Sequence, residues 1–320
     1  MKKTKVLSLL LAVFLLLSSL TLPLLAVDAE TAEDPEQTQS DGADAAAADD
    51  SVPEDQLLSS RTSFSVAAKA ALLVDLNTGR TVYEQDADER IYPASLTKIM
   101  TCLLALENGN LSDVVTVSAS ALDDLDADSS VAGLQVGEQM TLENLLYCMM
   151  LVSGNDAADA LARYTAGSIE DFAALMNEKA QNLGMTNSSF SNPHGLDAED
   201  HYSTARDMAV LMDYCMSNED FVRIISASSR QVGEQCYYNH NKLLWRCEGC
   251  IGGKTGYTLA AGRCLVSCCE RDGTRLICVT LSDPDDWNDH CKLYDWAFSQ
   301  YSDRRALSDG SLPEVPVTSG

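Results

Sequence analysis

An α/β (α+β) chain, with one sheet assembled from both ends of the sequence and a helical region inserted between them, is predicted by three observations. Strand-like runs and a turn signal lie near residue 70, and apolar residues fall at helical spacing through the middle. A strong hairpin pattern then returns after residue 260, followed by one more helix.

The early strands come from the apolar run Ala70 to Asp75, the turn residues Asn77-Thr78-Gly79, and the alternating Arg80 to Tyr83. Pro93 precedes a predicted helix over 95–107, where Leu96, Ile99, Met100, Leu103 and Leu106 share one face. Two further helices are predicted at Thr141 to Leu151 and Asp156 to Tyr164, with the breaker Ser153-Gly154-Asn155 making a tight turn between them. More helices follow at Ile169 to Leu183, led by Ser168, and at Thr204 to Met216, while Asn187 to Gly195 reads as a loop around Pro193. Gly262 to Glu270 and Thr274 to Leu281 are strand-like and meet across Asp272-Gly273. Asp283 as cap and Pro284 as first helical residue predict a last helix through Tyr301, with Trp287, Cys291, Tyr294 and Phe298 along one side.

The ends of the chain look different. Lys2, Lys3 and Lys5 precede an almost wholly apolar stretch from Val6 to Val27, the pattern of an export signal, and a cut after Ala29 suits a signal peptidase. Left uncut, that stretch is long enough to hold the protein at a membrane. Residues 28–60 carry eleven acidic side chains and no basic one, so 30–60 reads as an acidic, disordered linker. The organisation expected is a signal peptide at 1–29, the linker at 30–60, a folded domain at 61–302 and a C-terminal tail at 303–320.

The formal charge of −26 leaves −18 on residues 61–320 once the two N-terminal segments are set apart. Such a surface repels phosphate backbones, which argues against nucleic acid as a partner. Eleven cysteines invite a disulfide reading in an exported chain, yet the number is odd and several lie inside apolar runs, as small buried thiols do. Cys247-Glu-Gly-Cys250 has redox or half-zinc spacing, but no second pair accompanies it and the four histidines are scattered. No metal and no cofactor is expected.

Three short motifs carry chemistry. In Ser95-Leu96-Thr97-Lys98 the hydroxyl and the amine are three residues apart, so on a helix they share a face. A serine needs a base, and an amine kept neutral by desolvation or by a nearby cation can take its proton. A Ser three before a Lys occurs about once by chance in a chain this long, so the pair alone also reads as a capped helix with a solvated lysine. Ser153-Gly154-Asn155 offers a hydroxyl and an amide from a turn. Lys254-Thr255-Gly256-Tyr257-Thr258 presents a cation, a hydroxyl and NH groups from a strand edge, with Gly256 permitting close approach.

Together and in this order, the trio resembles the signature of penicillin-binding proteins and class A β-lactamases. Ala71-Leu-Leu-Val-Asp-Leu-Asn-Thr-Gly79, Pro93-Ala-Ser-Leu-Thr-Lys-Ile-Met-Thr101, Asn241-Lys-Leu-Leu-Trp245 and Gly253-Lys-Thr-Gly-Tyr-Thr258 extend that resemblance to the low-molecular-mass D-alanyl-D-alanine carboxypeptidases of peptidase family S11. It covers about residues 65 to 302.

The resemblance implies a penicillin-binding protein/β-lactamase-like fold, an antiparallel sheet flanked by helices beside an all-helical lobe holding Ser153 and Asn155. It implies Ser95 as nucleophile, Lys98 as base, and the NH groups of Ser95 and Tyr257 as oxyanion donors. Ser153 would relay a proton to the leaving amine and Asn155 would hold the substrate amide. Lys254 and Thr255 would attract the terminal carboxylate. The implied substrate is the peptidoglycan stem peptide, the implied inhibitors are β-lactam antibiotics, and the implied location is the cell wall or the outer face of the cytoplasmic membrane.

Two departures stand out. His240 occupies the place where some relatives carry an Arg for a further carboxylate contact, and the chain stops about twenty residues after its last helix, where many relatives continue into a β-rich domain. A class A-like β-lactamase would share the trio, but no acidic residue after Ser153-Gly154-Asn155 is well placed to drive deacylation. An inactive cell-wall-binding module is the reading from another class, and all three intact motifs weigh against it.

Overall fold

The computed structural model describes residues 65–123 and 129–309, all within the unit Ser51–Gly320. The export signal at 1–29 and the linker at 30–60 lie outside the described residues.

Strands β1 (Ala70–Asp75) and β2 (Arg80–Gln85) form the first hairpin. A 3-10 turn, Ala94–Thr97, then leads into helix α1 (Lys98–Asn108), so the segment carrying Ser95 is a tight turn where regular helix was expected. The reason lies in the backbone: Ala94 has φ 49°, and only from Lys98 onward does the i to i−4 ladder begin. A two-stranded ribbon of β3 (Val114–Thr116) and β4 (Gln139–Thr141) introduces the helical region. That region holds α2 (Leu142–Val152), α3 (Asn155–Ala166), α4 (Ile169–Asn182), α5 (Ala205–Met216) and α6 (Glu219–Ser226). The side chains of Thr141, Ser168, Thr204 and Asn218 cap four of these helices, each accepting a backbone N–H from the first turn.

The hairpin of β5 (Ser229–Val232) and β6 (Gln235–Tyr238) and the single turn α7 (Leu243–Arg246) precede the late strands. These are β7 (Cys250–Thr258), β8 (Gly262–Arg271) and β9 (Thr274–Leu281), and α8 (Asp286–Asp309) follows. The last helix starts two residues after the expected Pro284 and runs past Tyr301 to Asp309. Asp285 O accepts from Asn288 and Asp289 N, which sets the first turn, and no Gly or Pro interrupts the chain before Asp309.

One five-stranded sheet, in the order β2-β1-β9-β8-β7, is antiparallel at every pairing. The first strand therefore lies beside the last, Ala70 opposite Leu281, as the sequence pattern predicted. Successive residues of a strand point to opposite faces, and here both faces are buried. Leu72, Val266 and Val279 pack on the helical region, whereas Leu73, Leu265 and Cys278 pack on Leu293, Tyr294 and Ala297 of α8. Each fully buried Leu or Val is worth roughly 1.5–3 kcal/mol, so this double layer fixes the sheet firmly.

A buried polar network orients α8 on its face. Tyr294 Oη donates to Ser267 O at 2.8 Å and accepts from Cys278 N at 3.1 Å. His290 bridges Ser267 Oγ (2.7 Å) and Thr280 Oγ1 (3.1 Å), and burial lowers its pKa to about 3, which keeps the ring neutral. Buried polar groups so paired carry no desolvation deficit.

Candidate active site

Three elements converge on one cleft: the turn Ala94–Thr97, the bend between α2 and α3, and the edge strand β7. Its volume is about 840 Å³, within the range of small-molecule sites, and Ser95, Ser153, Asn155, Thr255, Gly256 and Tyr257 line it. Lys98 and Lys254 are buried, and their amines reach lining residues.

Lys98 Nζ lies 3.0 Å from Ser95 Oγ, 2.7 Å from Asn155 Oδ1 and 2.7 Å from His194 O. Lys254 Nζ lies 3.0 Å from Ser153 Oγ and 2.8 Å from Thr255 O. Desolvation holds the Lys98 ammonium well below the ordinary amine range, and the charge of Lys254 pushes it further the same way. Desolvation also brings Lys254 down, to about 7. A neutral Lys98 has two N–H donors and one lone pair. Its donors suit the carbonyl oxygens of Asn155 and His194, which leaves the lone pair for the hydroxyl of Ser95.

Two non-glycine residues at the cleft hold left-handed backbones, Ala94 at φ 49° and Ser153 at φ 61°. Such conformations persist only where the surroundings enforce them. Ala94 is enforced by close packing: a Cβ on Gly256 would come within 3.1 Å of Pro93 O, Ala94 Cβ and Ser95 N. Gly256 thus lets the strand lie against the Ala94–Thr97 turn. Ser153 ends α2, and Asn155, whose N–H donates to Ser130 O at 2.8 Å, begins α3. The carboxylate of Asp156 accepts from Ala132, Gly133 and Leu134 N at 2.8, 2.9 and 3.1 Å, pinning the loop that brings Ser129 and Ser130 to the cleft.

The segment 191–195, a plain loop by its sequence, supplies the carbonyl of His194. His201 Nδ1 accepts from Ser191 N at 3.1 Å, so its Nε2–H donates to Thr97 Oγ1 at 2.8 Å, while Thr101 Oγ1 donates to Pro193 O at 2.6 Å. Gly195 has φ 91°, and a Cβ there would run into the Ala94 carbonyl. These contacts tie the loop to the Ala94–Thr97 turn. No local sequence signal marks the His194 carbonyl, because every residue carries one. Desolvation and Lys98 lower His194 to about 3, and burial and Lys254 lower His240, so both imidazoles are neutral. His240 lines the cleft where the family's extra Arg was missing.

An antiparallel sheet covered by helices on both faces, with a helical region beside it and this cleft between, defines a penicillin-binding-protein-type D,D-peptidase fold. A family model described as D-alanyl-D-alanine carboxypeptidase, peptidase S11, matches residues 56–285. The chain belongs to that family. It is 38% identical over 251 residues to the D-alanyl-D-alanine carboxypeptidase DacF of Bacillus subtilis, covering 73% of this chain and 63% of DacF. With DacC of Escherichia coli it shares 39% identity over 248 residues, 73% of this chain and 62% of DacC. The chain thus spans somewhat less than two thirds of the length of these two relatives. The Streptomyces K15 DD-transpeptidase superposes with a TM-score of 0.72 at 32% identity, over 74% of this chain and 99% of that one.

Proposed function

We propose that the protein is a serine-type D-alanyl-D-alanine carboxypeptidase that removes the terminal D-Ala from peptidoglycan stem peptides. The observation that carries this reading is the 3.0 Å approach of the buried Lys98 amine to Ser95 Oγ. Lys98 takes the hydroxyl proton as Ser95 Oγ bonds to the carbonyl carbon between the two D-alanines. Backbone NH groups of Ser95 and Tyr257 hold the oxyanion. As the C–N bond breaks, Ser153 passes a proton to the departing amine, and water then hydrolyses the ester. Asn155 orients the substrate amide, and Lys254 with Thr255 attracts the terminal carboxylate.

In this reading the apolar N-terminal segment exports the chain and the acidic linker spaces the 61–302 catalytic domain from the membrane. The enzyme trims the wall from the outer side and so influences wall organisation and cell shape. Among the described residues no helix is long and apolar enough to cross a membrane.

Intact-mass measurement after incubation with a penicillin tests the assignment. The opened β-lactam stays over the acyl bond and obstructs water, so one adduct per chain should persist for minutes or longer. It should be absent in Ser95→Ala and weakened in Lys254→Ala. Rapid turnover of the antibiotic would point to a β-lactamase, and neither adduct nor D-Ala release would point to a binding module.

A further inference from the structure

A thiol cluster lies on the opposite side of the sheet from the helical region, among the residues packed around α8. Cys247 caps the C-terminal end of α7, Cys250 opens β7, Cys269 sits on β8 and Cys291 on α8. Cys247 Sγ and Cys269 Sγ are 3.8 Å apart and both side chains are buried. Cys250 and Cys269 are partners across the β7–β8 ladder, yet the Cys250 thiol turns to Gly252 O at 3.9 Å. The Cys-x-x-Cys spacing is therefore not the pair the fold brings together. Arg271 holds its guanidinium 3.9 Å from Cys247 Sγ while its Nε donates to Glu248 O at 3.0 Å.

We propose that Cys247 and Cys269 are a disulfide-forming pair, oxidised by thiol–disulfide exchange with a small-molecule or protein disulfide outside the cytoplasm. The Cys247 thiolate attacks the oxidant's S–S bond, forming a mixed disulfide and releasing one thiol. Cys269 then loses its proton and attacks the Cys247 sulfur, releasing the second thiol. Two S–H bonds are lost, one S–S bond forms, and the oxidant's disulfide is reduced to two thiols.

Chemistry and geometry agree on the direction of attack. Hydrogen bonding from Cys269 and Cys291, with the nearby Arg271 charge, holds Cys247 below the ordinary thiol range, whereas hydrogen bonding with Cys247 and Cys250, together with burial, pushes Cys269 up. A thiolate beside a cation is the attacking species in such exchanges. A shared metal is the competing use of four thiols, but among the described residues no group of three or more His, Cys, Asp or Glu has the arrangement to hold one. The bond would close a loop from 247 to 269 that contains all of β7, including Lys254, Thr255, Gly256 and Tyr257. It would therefore staple the strand that lines the cleft from the far side of the sheet. The pairing does not depend on what the cleft hydrolyses.

The full chain, equilibrated with oxidised and then reduced glutathione, decides the matter by thiol counting, peptide mapping and thermal melting. Oxidation should lower the number of thiols trapped by alkylation under denaturing conditions by two, from the eleven of the reduced chain to nine. Mapping should find a Cys247–Cys269 peptide, and the melting midpoint should rise by roughly 7 °C or more, as expected for a loop of this length. Cys269→Ser should abolish both changes. Eleven thiols after oxidation, a Cys247–Cys250 or Cys247–Cys291 link in their place, or one bound zinc lost on Cys247→Ser would each overturn the proposal. Mapping the unmutated chain keeps the test sound should the variant fold poorly.

Discussion

Lys254 Nζ and Ser153 Oγ meet at 3.0 Å across 101 residues of sequence, one from a strand and the other from a left-handed turn between helices. The hydroxyl reaches the amine only because Ser153 holds φ 61°. Ser153→Gly should relieve that backbone and leave stability unchanged or raised by up to about 1 kcal/mol. Ser153→Ala keeps the strain and gains nothing. Both should lower D-Ala release by roughly 10²-fold or more, since both lose the oxygen. Equal melting temperatures with equal activity across the three proteins would remove Ser153 from the relay.

The same lysine predicts a pH dependence. Burial lowers Lys254 to about 7 from 10.5. Between those values the unfolded chain binds more protons than the folded one, so this group's contribution to stability rises with pH from about 7 to about 10.5 and is flat below. Melting of the wild type relative to Lys254→Met should therefore rise across that window. A difference that stays flat across that window would mean that Lys254 remains charged in the fold.

Lys98→Arg tests the base. A guanidinium stays protonated at working pH, so it cannot accept the Ser95 proton, and acylation by a labelled penicillin should fall by about 10³-fold or more. Circular dichroism should show the fold intact. Near-normal acylation would rule out Lys98 as the base.

Gly256→Ala tests the approach of strand to turn. A Cβ 3.1 Å from Ser95 N and Pro93 O obliges the turn or the strand to give by a few tenths of an ångström. Displacement of that size beside Ser95 is expected to slow acylation by roughly 3- to 10-fold with little loss of melting temperature. Unchanged acylation kinetics would show that the turn yields without moving Ser95.

Much of this was legible in the residues. The paired ends of the sheet showed through because β1, β8 and β9 carry apolar runs bounded by turn signals, and Asp272-Gly273 does join β8 to β9. The fold class and family followed from the motifs Ser95 to Lys98, Ser153 to Asn155 and Lys254 to Gly256, which the fold gathers around one cleft. What stayed hidden has physical causes. The β5–β6 hairpin is short and half-exposed, with Arg230, Gln231 and Gln235 obscuring any alternation. Helix α6 is only two turns long, yet Asn218 as cap and Phe221, Ile224 and Ile225 on one face did carry a helical signal that the sequence reading passed over. The carbonyl of His194 was invisible because every residue has one, and only tertiary contacts aim it at Lys98. The closeness of Cys247 to Cys269 likewise depends on the register of β7 against β8, which the Cys-x-x-Cys spacing conceals.

Because β1 pairs with β9, the opening hairpin must wait for nearly the whole chain before it finds its neighbour. The residues of the cleft wait with it: Lys98 meets Asn155 57 residues on and His194 96 residues on, and Ser153 meets Lys254 only when the late strands arrive. Contacts so distant along the chain form late and together. Under the chemistry proposed for the cleft, a partly made or partly folded molecule would thus be inert, and covalent labelling at Ser95 would count only molecules whose folding had run to completion.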